Sequence, residues 1–214
     1  MPLPAASGWA DLKAGLLRVA RAPELLAMML LAFLINLTAY PVSGGLLPYA
    51  AQRVYHVDAT GLGLLVASFS FGGLLGSIAM LVTGGPRRTE RATLVATALW
   101  YGLLMGFGHL ETLTAGLVTL FLAGFVQNVA MIAMTAVLLA SAGGGFQGRV
   151  MGVRMLAVYG LPLGLIGSGF LIERIGYPAT ITASAALGLL CTALIGLRWR
   201  ASMWRRQPAP ARST

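Results

Sequence analysis

LLAMMLLAFLINLTAYPVSGGLLPYAAQ, residues 25–52, runs for 28 residues between Glu24 and Arg53 without one charged side chain. A helix needs about 20 apolar residues to cross the ~30 Å hydrocarbon core of a bilayer. The stretch is long enough for one crossing. Outward from it the pattern repeats, with another 28 uncharged residues between Asp58 and Arg87 and a further 37 between Glu111 and Arg149. Shorter uncharged runs cover 92–110, 155–172 and 175–197. The spacing predicts six spans, near 25–49, 60–83, 91–108, 113–141, 150–172 and 178–198. Gly143, Gly144 and Gly145 end the fourth before Arg149, so the longest run holds a single helix. Arg154 falls inside the fifth span, close enough to its end for the guanidinium to reach the interface.

Composition agrees. Of 214 residues, 57% are hydrophobic and only 10% charged, with a mean hydropathy of +0.82. A water-soluble domain carries roughly a quarter charged residues, so most of this chain's exterior faces lipid. The fold class is therefore an all-α membrane protein of six transmembrane helices. With six spans both termini share a side, and the segments on that side carry thirteen of the fifteen Lys and Arg residues. Only Arg53 and Arg174 fall on the other. Such a bias places both termini in the cytoplasm of a cell membrane. It also accounts for the net charge of +9 without nucleic acid, because no basic block is interleaved with aromatics able to stack on bases. Residues 1–22 lack the apolar core of a cleavable leader. They set Leu12, Leu16, Val19 and Ala20 on one helical face, which predicts a short helix lying on the membrane surface. Residues 23–200 form the transmembrane domain, and 201–214 a basic tail containing Pro208 and Pro210.

The six spans divide into two triplets that start from opposite sides of the membrane, as inverted repeats in transporters do. The loop after the second span reads Gly84, Gly85, Pro86, Arg87, Arg88, and the segment after the fifth holds Gly169, Glu173, Arg174 and Gly176. Taken with "DLKAGLLRVAR", "YPVSGGLLPYAAQRVYHVDATGLGLLVASFSFGGLLGS" and "GRVMGVRMLAVYGLPLGLIGSGFLIERIGYPAT", the chain resembles the C-terminal half, spans seven to twelve, of a major facilitator superfamily transporter. Within that family it is most similar to the drug and siderophore exporters. The resemblance covers nearly the whole length. It implies a fold of two inverted three-helix repeats, a membrane-crossing path for a small-molecule substrate, and gating roles for Arg87, Arg88, Glu173 and Arg174. The family's loop has the form G-x-L-a-D-R-x-G-R-R, and residues 84–88 lack its aspartate. Members of the family have twelve spans with the path between two halves, so the resemblance further implies a partner: an N-terminal half or a second copy.

Candidate path residues are polar groups near the midplane of the first helix of each triplet. Asn36, Tyr40 and Ser43 form a stripe at i, i+4 and i+7 in the first span. In the fourth, Met131 and Met134 follow Gln127 on one face, with Asn128 beside it. The implied pocket is neutral, hydrogen-bonding and thioether-lined, suited to amphipathic organic molecules. The same amides are equally suited to bridging helices. Gly72 and Gly76 with Ser68, and Gly160 and Gly164 with Ser168, make small-residue strips for close helix approach, within this domain or across a dimer. Pro41, Pro48 and Pro162 permit kinks.

No Asp or Glu lies within a span, so a titrating carboxylate for proton coupling would have to come from another chain. His56 and His109 fall on external loops, and Cys191 is the only cysteine. Neither a metal site nor a cofactor is expected, and there is no phosphate-binding loop. An intramembrane serine protease built on Ser168 would need a histidine within a span, and there is none. The remaining alternative to a transporter is a non-transporting membrane subunit or scaffold.

Overall fold

The computed structural model describes residues 8–86, 88–143 and 145–199, with side chains from residue 13 onward. Every regular element among them is helical. Helix α1 (Gly8–Arg21) leads to α2 (Pro23–Thr38), which Pro23 opens at a position where its missing N–H has no partner to lose. The same residue type then reshapes the span. Pro41 has no N–H to give Leu37 and its ring crowds that carbonyl, so the chain widens into a π-helical turn over Pro41–Gly45. There Leu46 N–H reaches Pro41 O at 2.8 Å. Pro48 lies in the short α3 (Leu47–Tyr49), and a second π turn covers Ala50–Val54. The first span is therefore helical from Pro23 to Val54, five residues beyond the expected end.

Asp58 starts α4 (Ala59–Thr83) by accepting from the N–H groups of Thr60 (3.0 Å) and Gly61 (3.1 Å). Gly84, at φ 69°, ends it in the left-handed conformation. Next come α5 (Thr89–Phe107) and α6 (Leu113–Ala142), the latter closed by Gly143. The fifth span begins earlier than expected. It comprises α7 (Gln147–Leu156), a 3₁₀ turn (Ala157–Tyr159) and α8 (Gly160–Ile175). Pro162 cannot donate to Val158, and the backbone tightens at that point. Glu173 and Arg174, expected beyond the span's end, lie within α8; only Gly176 (φ 78°) separates it from α9 (Tyr177–Arg198). Of the expected gating residues, Arg87 lies outside the described residues, as do Gly144 and the basic tail.

Five of these segments are long and apolar enough to cross a membrane: Pro23–Val54, α4, α6, Gln147–Ile175 and α9. Helix α5, whose first turn carries Glu90 and Arg91, is not among them. Its 19 residues rise about 28 Å.

The packing exchanges the two triplets. α4 lies on α6 and α8 on α2; α5 touches α6 as α9 touches α2, and α5 meets α9. The middle helix of each triplet thus packs on the first helix of the other. Glycine makes both crossings possible, since lipid offers no hydrophobic drive to bring helices together and close backbone approach must do it. A Cβ on Gly72 would fall on the Phe121 carbonyl, and one on Gly76 would sit 2.5 Å from Phe125 O. Across the molecule, a Cβ on Gly164 would collide with Leu37 O, and one on Gly160 would lie 2.9 Å from Phe33 O. Both strips are used inside the domain. Ser68 Oγ adds a 2.7 Å bond to Leu117 O, and Ser168 is buried.

Helix α5 supplies the heart of the core, with Trp100, Tyr101, Leu104 and Phe107 buried. The Tyr101 ring presses on Gly188 of α9, and its hydroxyl meets Thr38 Oγ1 at 2.7 Å. Elsewhere the apolar surface is turned outward. Leu64, Phe71, Leu74 and Leu81 of α4 and Ile166 and Phe170 of α8 are exposed, as lipid-facing residues are. The first span is the most enclosed: 67% of its most apolar stretch is buried, against 22% for α4 and 22% for Gln147–Ile175. Helix α1 docks on α7 through Gly15, buries Val19 and leaves Leu16, Leu17 and Ala20 exposed. Of the apolar face read from the sequence, Val19 turns inward while Leu16 and Ala20 stay exposed.

Candidate functional site

A cleft of about 330 Å³ opens between α2, α6 and the α7–α8 span, lined in part by Asn36, Tyr40, Met131, Arg154, Met155 and Leu161. Three of the six expected path residues meet here. Asn36, half-buried, gives one amide proton to Ala32 O at 2.9 Å. Tyr40 stands one turn further along, its ring edge-on to the buried Trp100 at 5.4 Å. Met131 faces both from α6.

The other three are placed differently. Gln127 is buried behind the wall and donates to Tyr40 Oη at 2.9 Å. Asn128 donates to Gln127 Oε1 at 3.3 Å and, on its other side, lies 3.3 Å from Ser77 Oγ of α4. The two amides therefore form a relay from α4 through α6 to Tyr40, which fixes the phenol's orientation. Ser43 leaves the stripe altogether: it is buried and bonds to Ala39 O at 3.0 Å. The i+7 count assumed 3.6 residues per turn, and the π turn after Pro41 shifts that register. Met134, expected beside Met131, is fully buried in the core.

The largest departure from the sequence reading is charge. The pocket was expected to be neutral. Arg154 lines it instead: its Nη1 donates to Thr135 Oγ1 at 3.1 Å, and Thr135 in turn donates to Met131 O at 2.8 Å. Arg154 is seven residues into α7, and Thr135 seven from the end of α6. Both therefore lie about 10 Å of helix rise in from the end where α6 connects to α7. The signal was present in the sequence, since a single charge inside a span marks a functional position by default. Its partner, from a helix 19 residues away in sequence, was not.

At the opposite end, a wider cleft of about 680 Å³ lies among Tyr49, Arg53, His56, His109, Glu111 and Tyr177. His109 Nε2 is 2.8 Å from Thr182 Oγ1, and Tyr49 stacks on Tyr177 with centroids 5.4 Å apart. No group of three His, Cys, Asp or Glu suited to a metal ion occurs among the described residues. Of the expected gating residues, Arg88 is exposed just before α5. Glu173 and Arg174 lie in the last turn of α8, with the Arg174 guanidinium 4.5 Å from the centre of the Phe170 ring.

No curated protein matches the chain. A family model described as Major Facilitator Superfamily matches residues 4–214, nearly the full length. The all-helical fold of membrane-crossing length, with a polar cleft inside it, agrees with that match, and the chain belongs to the Major Facilitator Superfamily, a family of transporters rather than enzymes.

Proposed function

We propose that this chain is one six-span half of a secondary transporter in the cell membrane, with both termini cytoplasmic and α5 as the sixth crossing. It exports amphipathic small organic molecules along the α2–α6–α7 cleft. A second six-span half, either a separate N-terminal half or another copy of this chain, completes the path. The observation that carries the reading is the cleft itself. Asn36 and Tyr40 of the first span and Arg154 of the fifth face apolar walls, in a volume at the small end of organic-ligand pockets. Arg88, Glu173 and Arg174 sit at span ends, where the resemblance places the gates.

The test is efflux of N-phenyl-1-naphthylamine, a neutral amphipathic fluorophore, from cells expressing the chain with and without a candidate second half. Met131→Trp fills the cleft and is expected to abolish efflux without lowering the amount of folded protein. Efflux untouched by Met131→Trp would refute the assigned path. Absence of efflux in every combination would favour a scaffold.

A further inference from the structure

We propose that the cleft recognises the anionic head of an amphipathic organic solute, a carboxylate, sulfonate or phosphate, through the Arg154 guanidinium and the Tyr40 hydroxyl. The proposal deepens the transport reading above and rests on it.

The argument is an inventory of donors and acceptors. Arg154 has five N–H donors, and the bond to Thr135 uses one. Thr135 spends its own proton on Met131 O, so the pair is set with arginine donating and threonine accepting. Tyr40 Oη accepts from Gln127, an arrangement held by Asn128 behind it. A phenol that accepts in this way keeps its own O–H to donate. Asn36 commits one amide proton to Ala32 O and retains the second. The side chains lining the cleft thus offer donors well in excess of acceptors.

Charge points the same way. No Asp or Glu is among the described residues that line the cleft; the carboxylates of the helices that form it, Glu24 and Glu173, stand in the first turn of α2 and the last turn of α8. Holding a guanidinium at such a cleft with no carboxylate among its described lining residues is costly. A bound anion would remove that cost and gain charge-assisted hydrogen bonds. The remaining lining, including Ile35, Met131, Met155 and Leu161, suits the apolar body of such a molecule. The relay Asn128–Gln127–Tyr40 serves as positioning machinery for the second donor.

Two probes that share one scaffold test this: 8-anilino-1-naphthalenesulfonate, which is anionic, and N-phenyl-1-naphthylamine, which lacks the sulfonate. Binding is measured on the full chain in phosphatidylcholine nanodiscs, with empty nanodiscs subtracted. Arg154→Gln is expected to weaken the sulfonate roughly ten-fold or more while changing the neutral probe less than about two-fold. Arg154→Lys should fall between, and Tyr40→Phe should weaken only the sulfonate, by about three-fold. Those two variants carry the comparison if Arg154→Gln does not fold. If Met131→Trp abolishes both probes while neither the Arg154 nor the Tyr40 variants change their ratio, the anion proposal is overturned and the transport path stands. If Met131→Trp changes neither probe, both fall together. A third arm adds phosphatidylglycerol: displacement of the sulfonate from the wild type but not from Arg154→Gln supports an anion at Arg154 and identifies it as a lipid headgroup.

Discussion

Replacing Gly72 by alanine should break the contact between α4 and α6. The new Cβ would fall on the Phe121 carbonyl and lie 3.1 Å from Phe121 Cα. These are backbone atoms of a helix, so no side chain can swing aside. To restore ordinary contact the helices must part by about 1 Å or more. Overpacking of this kind costs about 1–3 kcal/mol. Separation also strains the Ser68–Leu117 bond one turn away, worth about 1 kcal/mol in lipid. Against this, alanine gains about 0.5–1 kcal/mol of helix propensity over glycine. The net expectation is a loss of about 1–3.5 kcal/mol, or a fall in melting temperature of roughly 3–12 °C for a chain of this size. Intrinsic fluorescence of the purified protein in nanodiscs reports it, since Trp100 is fully buried. Gly102→Ala and Gly106→Ala are the controls: a Cβ there meets nothing within 4 Å, so their melting temperature should hold or rise slightly. If Gly72→Ala melts with the controls, α4 does not rest on α6 at this glycine, and the exchanged packing of the triplets loses its main support.

Three further outcomes are expected. Tyr101→Phe should cost up to about 1 kcal/mol, because only the bond to Thr38 is lost and Thr38 keeps its bond to Leu34 O; a double-mutant cycle with Thr38→Val isolates the pair, and a coupling of zero would remove it. Asp58→Ala should destabilise by about 1 kcal/mol through loss of the cap on α4, with Asp58→Asn retaining most of the stability; equal melting of all three proteins would count against the cap. In a Cys191→Ser background, an impermeant maleimide should label Glu111→Cys in intact cells and Arg88→Cys only in inverted vesicles. Labelling of both from one side would show that α5 does not cross the bilayer.

Much of this architecture was legible in the charge pattern, because excluding charge from lipid is a one-dimensional rule. Uncharged runs of sufficient length gave the helices, Asp58 and Gly143 their ends, and the small residues at 72, 76, 160 and 164 their packing faces. The boundaries that shifted have backbone causes. Proline at 41 and 48 drew the first span out to Val54 through π turns, and α8 continued through Glu173 and Arg174 because nothing before Gly176 stops a helix. The cleft was half legible: Asn36, Tyr40 and Met131 lie on its wall, whereas Ser43 turned away with the altered register and Gln127 and Asn128 became the support behind Tyr40.

By itself the sequence determined that this chain is a helical membrane protein and which of its helices carry polar groups at depth, since both follow from hydropathy and helical periodicity along one chain. Only the tertiary structure decided what those groups touch. The pairing of Arg154 with Thr135, the relay from Asn128 to Tyr40 and the crossing of each triplet onto the other depend on which helices are neighbours. Close backbone approach selects those neighbours, through contacts between residues as far apart in sequence as Gly164 and Leu37. Local propensity does not encode them.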